Sequence, residues 1–218
     1  MKVVCVLKRL PLLLVCSASL FAGTFTDGGF ESPAISYTGY SFGAPAGWTL
    51  NDPGNFGLFL EGYGAFNLPT LNGEGTQAYA FGGNGELAGD ISQIFDTVAG
   101  DSYHVTYQYL VQQGAGNEDY LANVLDGSTV LATSGNVQFS NTAWVTASLD
   151  FTATSSSSTI RFSDVTGAAG DSFGGGTTNW ALDAVTVADT STAPEPSSFL
   201  LLGVALVALG SRHRSLLR

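Results

Sequence analysis

The stretch Ser102–Gln112 alternates almost without fault. Its odd positions are Tyr103, Val105, Tyr107, Tyr109 and Val111; its even positions are His104, Thr106, Gln108, Leu110 and Gln112. A strand sends successive side chains to opposite faces, so this pattern predicts one buried face and one wet one, with Leu110 the single departure. Ala143–Thr152 repeats it, with Val145, Ala147, Leu149 and Phe151 predicted inward and Trp144, Thr146, Ser148 and Asp150 outward. Ser158–Val165 follows with Ile160 and Phe162 as core residues, then Trp180–Ala188 with Val185 and Val187. Period two also sets Asp183 on the face of Val185 and Val187. Asp126-Gly127, between Tyr120–Leu125 and Thr129–Ala132, reads as a hairpin turn. Earlier strands are predicted at Thr24–Glu31, Phe56–Leu60, Thr76–Phe81 and Asp90–Phe95. Helical periodicity is missing throughout this region. About nine strands with Gly-rich connections close most naturally as an all-β, two-sheet antiparallel sandwich of the jelly-roll kind.

Charge divides the 218 residues into three. Of seven basic residues, Lys2, Lys8 and Arg9 lie at the start and Arg212, Arg214 and Arg218 at the end, leaving Arg161 alone between. From Gly23 to Ala193 that one Arg faces seventeen acids, a net of −16. Nucleic acid is excluded as a partner, because its phosphates demand Lys and Arg.

The two ends are addresses. A basic start, the apolar run Leu10–Val15 and the small residues Ser17–Ser19 compose a Sec-type signal peptide over 1–22, cut after Ala22 or, alternatively, Ala18. Both cysteines, Cys5 and Cys16, fall inside it, so the exported part has no disulfide and no thiol chemistry. The other end reads Pro194-Glu195-Pro196, then an apolar run from Phe199 to Gly210, then Arg212, His213 and Arg214. Twelve apolar residues are short for a stable membrane span. The basic cluster behind them is expected to stay cytoplasmic. The predicted organisation is therefore signal peptide 1–22, sandwich 23–190, linker 191–198, hydrophobic helix 199–211 and basic tail 212–218.

This C-terminus resembles the PEP-CTERM sorting signal of exported bacterial proteins, with Pro194, Glu195 and Pro196 as its motif. The resemblance implies an exosortase partner, transient anchoring by the apolar helix, cleavage near the motif, and a destination at the cell surface or extracellular matrix of a Gram-negative bacterium. Gly28-Gly29-Phe30-Glu31, Gly47-Trp48, Gln93 with Phe95, Gly100-Asp101-Ser102-Tyr103, Trp144 with Phe151, Ile160-Arg161-Phe162 and Leu182-Asp183-Ala184-Val185-Thr186-Val187 carry a second resemblance. They look like the galactose-binding-like jelly roll of carbohydrate-binding modules in families 4, 9 and 22. Ala184 departs from it, since those modules often carry Asn or Asp there.

That resemblance implies a structural Ca²⁺ held in part by Glu31 and Asp183. An inward Asp183 needs a partner, calcium or loop amides. It also implies an extracellular polysaccharide partner. Sugars are bound by aromatic platforms beside polar groups, and the candidates are Trp144, Trp48, Tyr63 and Tyr120, with Trp48, after Gly47, better suited to plugging the core and Trp144 open to either role. Catalysis finds little support. The middle has no Lys or Cys and only His104, no Gly-x-Ser-x-Gly elbow occurs, and a P-loop would require Lys. The expected function is non-catalytic glycan binding by an exported surface protein. The alternative is a structural or adhesive matrix protein without a defined ligand, and a polysaccharide-active enzyme stands behind both.

Overall fold

The computed structural model describes residues 25–35, 40–51, 57–61, 69, 75–81, 89–111, 118–165 and 180–191. The expected signal peptide, Tyr63, the Pro194-Glu195-Pro196 motif and the apolar helix lie outside them. No helix among the described residues is long and apolar enough to cross a membrane.

Alternation drives the architecture. The described strands are β1 (Tyr40–Phe42), β2 (Thr49–Asn51), β3 (Gly57–Leu60), β4 (Gln77–Phe81), β5 (Asp90–Asp96), β6 (Ser102–Val111), β7 (Glu118–Asp126), β8 (Thr129–Phe139), β9 (Val145–Thr152), β10 (Ser157–Asp164) and β11 (Trp180–Asp189). They form two antiparallel sheets, in the orders β1-β3-β4-β11-β6-β9 and β2-β5-β10-β7-β8. The inward faces meet in one aromatic core. Tyr103, Val105 and Tyr107 of β6 pack with Phe162, Tyr120, Phe95 and Phe151, all 5% exposed or less. β1 and β2 escaped the sequence reading because three residues hold no period.

Four expectations need correction. Thr24–Glu31 is not a strand where it is described. Asp27 and Phe30 take positive φ of 51° and 55°, which breaks an extended run at Gly28-Gly29. Two buried glutamines hold this segment instead. Gln93 of β5 accepts from the Thr26 amide at 2.7 Å and donates to the Thr26 carbonyl at 2.8 Å. Gln77 of β4 donates to the carbonyls of Phe30 and Pro33 and accepts from the Ile35 amide at 2.6 Å. Each sheet thus reaches the segment with a side chain that imitates a backbone partner.

Asp183 does not share the face of Val185 and Val187. The β6–β11 register shifts between Asp183 and Thr186, and Ala184 sits at φ 52°. That bulge inverts the parity, so Trp180, Leu182 and Val185 all face the main core while Ala181 and Asp183 face out. The Val185 amide donates to the Gly28 carbonyl at 2.9 Å. A Cβ on Gly28 would fall 1.9 Å from the Val185 carbonyl oxygen, so only glycine fits against the bulge.

The hairpin turns one residue later than expected. Asp126 ends β7, Gly127 and Ser128 form the loop with Gly127 at φ 56°, and β8 begins at Thr129. Asp126 accepts instead from the hydroxyls of Thr154 and Ser155. Val145, predicted inward, is 37% exposed because it starts an edge strand at the end of the sheet.

Candidate functional site

Leu110 explains the outer face of the six-stranded sheet. It is fully buried there against Ala78, Ala80 and Ala181, a second small core on the side away from the main one. Half-buried Trp144, just before β9, packs on that cluster, and its indole N–H donates to the Pro69 carbonyl at 2.8 Å. The even positions of β6 continue away from it. Gln108 lies opposite Thr146, Thr106 opposite Ser148, and His104 opposite Asp150. The Thr106 and Thr186 hydroxyls are 2.6 Å apart, as are His104 Nδ1 and Asp150 Oδ1. An aromatic ring on a floor of alanines thus borders three successive rows of hydrogen-bonding side chains. The surface can lodge a ligand with an apolar face and many hydroxyls.

The other aromatic candidates do not join Trp144. Trp48 is 5% exposed, lies against Phe25 and Phe30 with ring centroids 5.7 and 5.2 Å away, and donates to the Asp27 carbonyl. Tyr120 is a core residue of β7 rather than a loop residue, 1% exposed, with its hydroxyl 3.1 Å from that of Tyr107. Burial raises the Tyr107 phenol and pushes that of Tyr120 well above the usual tyrosine range, so both stay neutral. Neither Trp48 nor Tyr120 presents a ring to solvent.

The two acids expected to share a cation serve backbone amides. Glu31 accepts from the amides of Thr76 and Gln77 at 2.7 Å each, starting β4, and Asp183 accepts from Ala184 N at 2.7 Å, pinning the bulge. Among the described residues no group of three or more His, Cys, Asp or Glu is placed to hold a metal ion.

Sequence reasoning missed a pair of inward carboxylates. Asp164 follows Ile160 and Phe162 at period two, and Glu118 precedes Tyr120 and Ala122 in the same way, so both face the interior, each 1% exposed. They flank the end of the core where Tyr109, Tyr120, Trp180 and Phe81 gather; Phe81 and Trp180 stack at 4.0 Å. The parity was legible in the sequence, but seventeen acids drew attention to their number instead of their phase.

Comparison with known proteins bears on this site. The family model described as HpiC1-like, HpiC1 cyclase, matches residues 22–186, well over half of the chain. The chain belongs to the HpiC1-like family. The residue pattern had not pointed to a cyclase family. A second model, the PEP-CTERM protein-sorting motif, matches residues 192–215, so the sorting signal read from Pro194-Glu195-Pro196 is present. The fold is the carbohydrate-binding-module-like jelly roll that the motifs resembled. Similar solved structures include the xylan-binding CBM22-1 domain of Paenibacillus barcinonensis Xyn10C (15% identity, 67% of this chain and 88% of that one, TM-score 0.44). TmCBM61, solved with β-1,4-galactotriose, is similar at 16% identity over 77% and 98%, with a TM-score of 0.49. The arabinose-bound α-L-arabinofuranosidase MgGH51 matches at 12% identity and TM-score 0.52, over 79% of this chain but 27% of its own. At such identities the likeness is one of fold. No curated protein sequence matches the chain.

Proposed function

We propose that this is an exported surface protein, sorted by exosortase through its C-terminal motif, whose sandwich binds an extracellular glycan on the outer face of the six-stranded sheet without catalysing its conversion. The observation that carries the binding reading is Trp144 on its alanine floor beside the Gln108–Thr146, Thr106–Ser148 and His104–Asp150 rows. Titration with galactan and xylan tests it. Trp144→Ala is expected to weaken binding about tenfold or more, the loss of a central aromatic contact. A glycan bound equally by wild type and Trp144→Ala overturns the assignment to this face, and no binding to any polysaccharide favours the structural-matrix role. For sorting, intact mass of protein from an exosortase-bearing host is expected to lack Phe199–Arg218; a persistent full-length C-terminus sinks that part.

A structural calcium ion at Glu31 and Asp183 belongs to the same proposal and is supported by the module resemblance alone, since the geometry gives both carboxylates backbone partners. An ion that binds only the folded chain adds about 2.7 kcal/mol at a hundredfold excess over Kd. EDTA should then lower the melting temperature, and Asp183→Ala should remove that sensitivity. An EDTA-insensitive melt refutes the ion.

The family supplies a second reading. Its description names a cyclase, and Glu118 and Asp164 place two carboxyls at the aromatic end of the interior, where general-acid chemistry could be housed. Under this reading Glu118→Gln or Asp164→Asn abolishes turnover and spares glycan retention on the Trp144 face. The reverse pattern supports the binding role.

A further inference from the structure

The outer face of the five-stranded sheet carries the one cation of the domain in a polar row. On β10, Ile160 and Phe162 enter the core, so Arg161 between them faces out. Its register neighbours are Ser92 on β5 and Asn123 on β7; beyond these, Thr49 of β2 pairs with Ser92 and Thr133 of β8 with Asn123. The row Thr49, Ser92, Arg161, Asn123, Thr133 crosses all five strands, about 19 Å at ordinary strand spacing. Arg161 makes no ion pair among the described residues, and its covered Nε has no hydrogen-bond partner. Along one side runs a more apolar row, with Ile94 70% and Val130 51% exposed and Leu125 between them through Thr159. Along the other lies Asp90, held by the Asn51 amide at 3.3 Å.

We infer that this face is a second glycan subsite, selective for a neutral polysaccharide bearing isolated uronate groups. The guanidinium fork suits a carboxylate, and the Thr49, Ser92 and Thr133 hydroxyls of the row suit sugar hydroxyls, whereas Asn123 is buried at 5% exposure and packs within the row. Ile94 and Val130 offer apolar ground for the C–H faces of neighbouring sugars. One Arg in a domain of net −16 excludes a phosphate polyanion, which needs several cations. Asp90 on the adjoining row disfavours a second carboxylate beside the first, so a continuous polyuronate fits less well than a sparsely substituted chain. This rests on the domain being a glycan binder, yet it uses the sheet opposite the Trp144 face and names a different chemistry.

The test is calorimetric titration of the purified full-length chain with a glucuronoxylan oligosaccharide carrying one uronate, and with the same oligosaccharide reduced to the alcohol at that carboxyl. Wild type should bind the acid form about tenfold or more tightly, the worth of one hydrogen-bonded charge contact. Arg161→Gln should erase that ratio, and so should Asn123→Asp, which sets a competing carboxylate beside Arg161. Thermal melts confirm that each variant folds. Trp144→Ala should leave the ratio intact. Equal binding of both forms by wild type refutes the uronate subsite while leaving the glycan reading standing. A ratio that survives Arg161→Gln and Asn123→Asp, or that vanishes with Trp144→Ala, also refutes it by placing the carboxylate elsewhere. If wild type binds neither form the subsite falls, and the neutral-polysaccharide titration decides the broader reading separately.

Discussion

Gln77 and Gln93 stand in for a strand that the N-terminal segment cannot form. Both face the core, 2% and 3% exposed, and between them they satisfy five backbone groups of residues 26–35. Gln77→Ala would strand the Ile35 amide and the Phe30 and Pro33 carbonyls. Orphaned buried polar groups cost about 1–3 kcal/mol each before relaxation, so a loss of about 2–3 kcal/mol is expected from urea unfolding. An unchanged midpoint would mean that the segment docks through Trp48 and Phe30 alone. Asp27 in the same segment makes a pH prediction. Burial raises its carboxyl above the ordinary aspartate value, an effect only partly offset by the backbone hydrogen bonds it accepts from Ser32, Glu31 and Ala46. The folded state therefore binds this proton more tightly than the unfolded chain does. The charged form weakens the fold at neutral pH, and the penalty fades as pH falls through the raised value. Asp27→Asn should raise the melting temperature at pH 7 and leave it nearly unchanged at pH 3, where both states are protonated. A lower melting temperature at pH 7 would show that the hydrogen bonds to Ser32 outweigh the burial.

At the scale of elements, the bulge in β11 decides which carboxylate faces where. Ala184 at φ 52° lets Val185 return to the core and turns Asp183 to the outer face. A β-branched residue is an outlier at that φ, so Ala184→Val is expected to destabilise by about 2 kcal/mol while Ala184→Gly is tolerated. Equal melting temperatures for the two variants would show that the strand can slide back into regular register. The bulge was hard to read in Leu182-Asp183-Ala184-Val185, because unbroken alternation is the simplest continuation of the pattern. Only the pairing with β6, and the Gly28 carbonyl waiting for the Val185 amide, reveal the extra residue. β6 and β10 had no such competition, and their period of two holds over the described strands. Even Leu110 kept its phase. It departs in chemistry, because Ala78, Ala80, Ala181 and Trp144 cover it on the outer face.

For the whole molecule, charge sets behaviour in solution. With one cation and a net of −16 between Gly23 and Ala193, the sandwich repels its copies at neutral pH. Protonating carboxylates toward pH 4 removes the repulsion, so light scattering across pH 3.5–7.5 should show association at the acid end. Strongest association at pH 7.5 would assign control to apolar patches such as Ile94 and Val130. Local pattern sufficed for the all-β class, for the strands β3 to β7 and β9 to β11 to within a few residues and the first third of β8, for the sorting motif and for the isolation of Arg161. These are local or compositional properties, and alternation reports burial directly when a strand has one wet face. The tertiary structure was needed to show that Tyr120 is core, and that Trp144 packs on the alanines of the outer face beside its polar rows. It also decided that Glu31 and Asp183 serve amides, and that Arg161 lies in a row with Ser92 and Asn123. Each of those depends on which strands pair and in what register. Such pairing joins residues far apart in the chain, 69 positions for Ser92 and Arg161 and 103 for Tyr79 and Leu182, through backbone hydrogen bonds that carry no mark in the local sequence.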